Sequence, residues 1–467
     1  MNQDDTICAI CTPPGRGAVA MLRLSGPEAI NIADKVFVSP KQGKKLADQH
    51  PMTMHYGHIK DGNSVIVDDV VVSIFRNPHS FTGEDTVEIS CHGSTLVQHQ
   101  ILQVLIGAGA RMATAGEFTK RAFVNGKMDL SQAEAVADLI ASESEAARRV
   151  AYDQLRGGFS RQLEELRLQL VHFSSLLELE LDFSEEDVEF ANRAELNELV
   201  SHILSVITRL ADSFRLGNAI KQGIPTAIVG APNVGKSTLL NALLCEERSI
   251  VSDVKGTTRD TIEETLSIAD LTFRLIDTAG IRETDDAIEA EGVRRSHAAI
   301  AKAMIVVLLV DAADGEKAAM NAVAEVRRVM RDQEQSLIVC INKTDVCAVD
   351  WITDDWRRKA LASAVVPMAA KEGKGVDELR MAMVEAVESS DTVIGEDVVV
   401  TNARHYEALV AAREALMRVA AGLDSGLGGE IISLDIHEAT DALASITGQV
   451  TSQDVLNNIF EHFCIGK

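Results

Sequence analysis

The chain is poor in proline, has few cysteines, no long apolar run and no excess of positive charge, and each lack removes a class of protein. Nine prolines among 467 residues, 46% of them apolar, suit ordinary packed cores, and the length allows two to four domains. Seven cysteines, of which only Cys8 and Cys11 stand at CxxC spacing, are too scattered for a disulfide framework or a zinc site built from two such pairs, and fit reduced thiols in a cytosol. The longest evident apolar run, residues 304–310, is far too short to span a bilayer. The start, Met1-Asn-Gln-Asp-Asp5, is acidic and carries no signal pattern, so the expectation is a soluble cytoplasmic protein. Formal charge is −25, from 45 Lys plus Arg against 70 Asp plus Glu. Residues 1–127 balance at 12 against 12, which leaves 33 against 58 for the rest, and any RNA contact must therefore be local. His405, His437 and His462 show no ligand spacing with one another.

Residues 230–237 read Gly-Ala-Pro-Asn-Val-Gly-Lys-Ser, a complete phosphate-binding loop behind the apolar strand Thr226-Ala-Ile-Val229. The glycines let successive amides turn toward a phosphate, and Lys236 reaches its outer oxygens. Ser237 can ligate magnesium, and a helix expected from about Thr238 adds its positive end.

About a hundred residues on, Asn342-Lys-Thr-Asp345 closes the apolar run Leu337-Ile-Val-Cys-Ile341. The Asp345 carboxylate can accept from both the ring N–H and the exocyclic amine of guanine, whereas adenine sets an acceptor against one oxygen. The pattern favours GTP over ATP. Between these motifs stand Gly256-Thr-Thr-Arg-Asp260 and, after strand-like residues 271–276, Asp277-Thr-Ala-Gly280. Magnesium takes hard oxygen ligands, so Ser237 and Thr258 form the direct pair, with Asp277 nearby through water. Lys236, Thr258 and Asp277 enter the catalytic set, and the Gly280 amide senses the terminal phosphate. Ile281 occupies the place of the water-orienting glutamine of Ras-like switches, leaving Arg259, Arg282, Glu283 and Glu289 as candidates for that task. A bound monovalent cation can supply the charge that an arginine finger supplies elsewhere. The nucleotide contacts read from these motifs are Asn233, Val234, Gly235, Lys236, Ser237 and Thr238; Gly256, Thr257 and Thr258; Asp277, Thr278, Ala279 and Gly280; and Asn342, Lys343 and Asp345.

The flanking sequence changes character twice. Residues 7–10, 18–24, 65–75 and 86–90 read as strands and 27–36 and 95–106 as helices, an alpha+beta pattern. From Ser131 the pattern turns helical, with Ser131 and Glu134 as a capping box. Apolar residues then recur at Phe159, Leu163, Leu166, Leu170, Phe173 and Leu177, a stripe for an internal bundle core or a dimer seam. A second stripe, Leu409, Ala412, Leu416 and Val419, follows the GTPase segment. The simplest architecture inserts the GTPase into a helical domain.

Thr12-Pro-Pro-Gly-Arg-Gly17, Phe81-Thr-Gly-Glu-Asp85, His92-Gly93, Gly116-Glu-Phe-Thr119, Lys127-Met-Asp-Leu130, Gln132-Ala-Glu-Ala135 and the ending Phe463-Cys-Ile-Gly-Lys467 together resemble the MnmE (TrmE) family of tRNA-modification GTPases over essentially the whole chain. The resemblance implies a multidomain protein: an alpha+beta folate-binding and dimerisation domain at 1–126, a helical-bundle domain in two parts at 127–216 and 389–467, and an inserted Ras-like alpha/beta P-loop GTPase domain at 217–388. It further implies a potassium-dependent GTPase that works with the flavoprotein MnmG (GidA), which carries FAD. Together they add a carboxymethylaminomethyl or aminomethyl group at C5 of the tRNA wobble uridine. The one-carbon unit would come from a tetrahydrofolate derivative, in the 5-formyl or 5,10-methylene form. The expected assemblies are a homodimer and a heterotetramer with the partner. The other function class open to the sequence is a regulatory GTPase switch in ribosome assembly or stress signalling, with flanking adaptor domains.

Residue by residue, the resemblance places folate contacts at Arg23, Glu88, Lys127 and Lys467, where a carboxylate suits the pterin edge and cations suit the glutamate tail. Potassium would take the Asn233 side chain and the backbones of Ser252, Val254 and Thr257, and Glu289 aligns with the glutamate implicated in hydrolysis. The resemblance also extends the nucleotide contacts to Ser252, Asp253, Val254 and Lys255 and to Ala369 and Ala370; the family's Ser-Ala pair near the base is Ala369-Ala370 here, which removes a side-chain contact and keeps the Ala370 amide. Cys464 is a functional thiol by resemblance and a small buried apolar group by chemistry.

Overall fold

The computed structural model describes residues 5–182, 193–245, 264–276, 289–331, 335–388, 399–461, 463 and 466. They form two units, one of Met1–Ala137, Gln154–His172 and Thr440–Lys467, the other of Asp138–Asp153 and Phe173–Ala439.

The first unit is built on a seven-stranded sheet of β1 (Ile7–Ile10), β2 (Val19–Ser25), β3 (Phe37–Val38), β4 (Thr53–Lys60), β5 (Ile66–Phe75), β6 (Thr86–His92) and β7 (Arg111–Met112), in the order β3-β4-β5-β6-β2-β1-β7. All pairings are antiparallel except β1 with β7. Alternation follows the period of the strand: in β2, Ala20, Leu22 and Leu24 are buried while Met21 and Arg23 are half-buried. The buried side meets the helices Ala29–Val36 and Thr95–Gly107 through Ile30, Ala33, Ile101 and Leu105. On the other side, Ile7 and Ala9 of β1 pack against Phe118 of the helix Glu117–Val124. Strand β4 is not evident in the sequence, because Gly57 breaks its pattern; there a Cβ would lie 2.5 Å from Val38 O on β3.

An ionic network centred on the buried Arg121 and Glu117 closes this unit. Arg121 Nη2 donates to Asp5 Oδ1 at 2.6 Å and to Glu117 Oε1 at 3.2 Å, while Nη1 reaches Glu84. Arg111 Nη2 also donates to Glu117 Oε1, at 2.6 Å. Burial pushes the Glu117 carboxyl up, but the Arg111 guanidinium and the Thr114 amide outweigh it and hold it at about 2. The same unit corrects the expected capping box. Asp129 Oδ1 accepts from the Gln132 amide at 2.9 Å and Gln132 Oε1 from the Asp129 amide at 3.0 Å, so Asp129 and Gln132 form the box. Ser131 is one residue too far in: it is fully buried, with its hydroxyl 3.3 Å from that of Ser160.

The second unit carries a six-stranded sheet of β8 (Ile224–Val229), β9 (Glu264–Ile268), β10 (Leu271–Ile276), β11 (Ile305–Asp311), β12 (Ser336–Asn342) and β13 (Ala364–Pro367), in the order β13-β12-β11-β8-β10-β9. Only β9 runs antiparallel. The central strands β11 and β12 are buried along nearly their whole length, as parallel strands covered on both faces must be. From β8 the chain moves to β9 and β10 on one side and then to β11 on the other. The C-terminal end of β8 is therefore a topological switch point, where ligand crevices open in such sheets.

The helix Arg193–Gln222 precedes β8 and packs along the helix Ala403–Asp424, whose stripe Leu409, Ala412, Leu416 and Val419 is wholly buried. Gly217, read from the sequence as the start of the GTPase segment, lies inside the first of these helices. A Cβ there would sit 2.1 Å from Val400 O, so only glycine allows this approach. The earlier stripe is also internal, with Phe159, Leu163, Leu166, Leu170 and Leu177 buried and Phe173 half-buried. No helix among the described residues is long and apolar enough to cross a membrane.

Candidate nucleotide-binding site

Strand β8 ends at Val229 and the helix Lys236–Cys245 begins seven residues later, two residues before its expected start, so the phosphate loop occupies the switch point. Its backbone turns through positive φ at Gly230 (153°), Asn233 (62°) and Gly235 (102°). Lys236 Nζ bridges the loop by donating to Gly230 O and Ala231 O, both at 2.8 Å, and burial pulls its pKa down. Val234 is buried beneath the loop, while Asn233, Ser237 and Thr238 are exposed on it.

The loop that opens with Asn342 is joined to the phosphate loop by one side chain. Asn342, at the end of β12 and 3% exposed, donates from Nδ2 to Val234 O at 2.8 Å and accepts on Oδ1 from the Ala370 amide at 3.0 Å. A Cβ on Gly235 would lie 2.4 Å from Asn342 Nδ2, so this glycine serves the close approach as well as the turn. The Ala370 amide, assigned to the base from the sequence, is thus engaged by Asn342 here, with Ala369 and Ala370 both buried. Thr344 donates from its amide and hydroxyl to Met368 O, at 3.1 and 3.0 Å, which fixes the turn that presents the exposed Asp345.

Lys343 turns back through φ 64°. Its Nζ lies 2.6 Å from Asp311 Oδ2. Burial raises the Asp311 carboxyl, but the Lys343 ammonium and the Ala313 amide outweigh it and hold it below the usual carboxylate range. The motif reading does not single out Asp311; its only sequence signal is a carboxylate at the end of the apolar run of β11.

The structure gathers the phosphate loop, Asn342 to Asp345 and Ala369-Ala370 at one end of the sheet. Ser252, Asp253, Val254, Lys255, Gly256, Thr257, Thr258, Asp277, Thr278, Ala279 and Gly280 lie outside the described residues, as do Arg259, Arg282 and Glu283. Glu289 is described only through its backbone, as the first residue of the helix Glu289–Lys302.

In the first unit, Arg23 and Glu88 are direct cross-strand partners of β2 and β6. Arg23 donates to Glu88 Oε1 from Nε at 3.0 Å and from Nη2 at 2.8 Å. The guanidinium carbon lies 5.2 Å from the Phe81 ring centroid and 5.7 Å from that of Phe118. These two rings were not singled out for a role by sequence. Lys127 Nζ donates to Pro78 O at 3.0 Å. Cys464 and Lys467 lie outside the described residues, and Gly466 accepts from Cys11 Sγ at 3.2 Å, beside the end of β1. Cys8, Cys91 and Cys340 are free thiols that burial pushes up to about 11, 11 and 12, which keeps them protonated and unreactive.

A family model described as the MnmE helical domain matches residues 130–464, and one described as the GTP-binding protein TrmE N-terminus matches residues 6–127. The chain belongs to the MnmE family. The tRNA modification GTPase MnmE of Parabacteroides distasonis is 52% identical to it, over 99% of this chain and 100% of that relative. The proteins of the same name from Bacteroides thetaiotaomicron and Flavobacterium johnsoniae are 50% and 49% identical, with both chains covered in full. The phosphate loop and the Asn342–Asp345 loop, joined through Asn342, stand in a family of GTP hydrolases.

Proposed function

We propose that the chain is a GTP hydrolase acting in tRNA wobble-uridine modification. The observation that carries the reading is the full-length likeness to proteins named tRNA modification GTPase MnmE, joined to the hydrogen bond by which Asn342 ties its loop to the phosphate loop at the switch point. Lys236 would bind the outer phosphate oxygens, Ser237 and Thr258 would hold a magnesium ion with Asp277 in support, and Glu289 would orient the attacking water. Asn233, exposed on the loop at positive φ, suits a potassium ion held also by the backbones of Ser252, Val254 and Thr257. When bound, the two cations add positive charge against the phosphates.

The Arg23–Glu88 pair suits a tetrahydrofolate derivative: both Arg23 contacts fall on Oε1, so Oε2 is the oxygen through which Glu88 accepts from a pterin edge. Lys127 and Lys467 supply charge for the glutamate tail. The one-carbon unit would then pass to the uridine with the aid of the FAD-bearing MnmG partner. The chain would act as a homodimer, in a heterotetramer with that partner, in the cytoplasm. The test is mass-spectrometric analysis of tRNA nucleosides from a deletion strain complemented with wild type, Arg23→Ala or Asp277→Ala. Wild type restores the modified wobble uridine, Arg23→Ala fails while still hydrolysing GTP, and Asp277→Ala fails in both. Unchanged wobble uridines in the deletion strain would overturn the reading.

A further inference from the structure

We infer that Asp311 is a positioning residue for nucleotide binding, acting through Lys343. The two stand at the ends of neighbouring strands: Asp311 is the Cα partner of Asn342 in the β11–β12 register, and Lys343 follows directly. After Asn342 the backbone passes through φ 64° at Lys343, a conformation unfavourable for a lysine unless its surroundings hold it there. The hold is visible on both sides. The Lys343 ammonium meets Asp311 Oδ2 at 2.6 Å, and Asp311 Oδ1 accepts from the Ala313 amide at 3.0 Å, capping the short turn Ala312–Asp314. One carboxylate thus fixes its own orientation with one oxygen and the lysine with the other.

Pinned at its far end, the Lys343 side chain is laid down beside the loop that ends in Asp345. It is partly exposed, at 40%, whereas Asp311 is only 17% exposed. A long aliphatic stem held at both ends forms a flat apolar wall, suited to the face of a purine. Such a wall is indifferent to the hydrogen-bonding edge of the base, which Asp345 reads. Asp311 therefore sets how tightly any guanine-like nucleotide is held and leaves base preference untouched. This rests on the guanine-nucleotide reading of the site.

The experiment is a double-mutant cycle on the full chain with Asp311→Asn and Lys343→Met, reading dissociation of a fluorescent GDP and steady-state hydrolysis of GTP, ITP and XTP. Asparagine keeps an acceptor for the Ala313 amide and removes the charge; methionine keeps the stem and removes the ammonium. Asp311→Asn is expected to weaken binding of all three nucleotides by the same factor, roughly fivefold, and to raise KM with kcat nearly unchanged. In the Lys343→Met background the same change adds nothing. Additive losses, unchanged affinity in a variant that melts like wild type, or a shift in preference among the three bases each overturn the inference. Should Asp311→Asn fail to fold, Lys343→Met alone must show the same base-independent loss. Wild type that fails to prefer GTP over ATP, added as a fourth nucleotide, identifies failure of the underlying reading instead.

Discussion

Asn342 Nδ2 donates to Val234 O at 2.8 Å, tying the end of β12 to the phosphate loop across 108 residues of sequence. With Oδ1 on the Ala370 amide, the same side chain joins three loops at the switch point.

Asn342→Ala leaves the Val234 carbonyl and the Ala370 amide without that partner. Stability should fall by about 2 kcal/mol or more, and GTP affinity should fall with it. Urea unfolding followed by tryptophan fluorescence checks this, because Trp351 and Trp356, with ring centroids 5.3 Å apart, both lie in the second unit. Native stability with native affinity would remove the strut from the account.

At Asp345 the expected change is in preference. Asp345→Asn should weaken GTP and strengthen xanthosine nucleotides in relative terms, because the amide can donate to the extra carbonyl. Competition among GTP, XTP and ATP decides it, and retained GTP preference would mean that Asn342 to Asp345 is not the base clamp.

Hydrolysis should be faster in potassium than in sodium at equal ionic strength, since the smaller ion fits poorly the cage proposed around Asn233. Glu289→Ala should slow turnover by about tenfold or more with nucleotide affinity nearly unchanged, as suits a residue that orients water. Equal rates in the two salts remove the cation from the mechanism, and a matching loss of affinity makes Glu289 structural.

Acid should weaken the first unit through Glu117. Its folded pKa lies below its ordinary 4.5, at about 2, so the stabilisation is fully present above pH 4.5 and is lost as pH falls toward 2. A shift of this size corresponds to about 3 kcal/mol. Urea midpoints followed by circular dichroism should fall over that window in wild type and respond less in Glu117→Gln. Parallel pH profiles would show that the Arg111 and Arg121 network does not depend on that charge.

The phosphate loop, the Asp345 motif and the strands β1, β2, β5, β6, β8, β10 and β12 were legible in the sequence, because each rests on neighbours along the chain: glycines in a turn, alternation in a strand, an apolar run before a loop. The family could be read for the same reason, from short motifs that keep their local spacing. What the tertiary structure decided are relations between residues distant in sequence. Asn342 became a strut because β11 and β12 bring it beside Val234. Asp311 gained Lys343 through strand register, and Arg23 faces Glu88 across β2 and β6 with Phe81 and Phe118 around it. Even the helix start moved from Ser131 to Asp129, once burial against Ser160 had claimed the serine. A carboxylate, an amide or a serine has many partners open to it along a chain, and only packing, which fixes distance and excludes water, selects one.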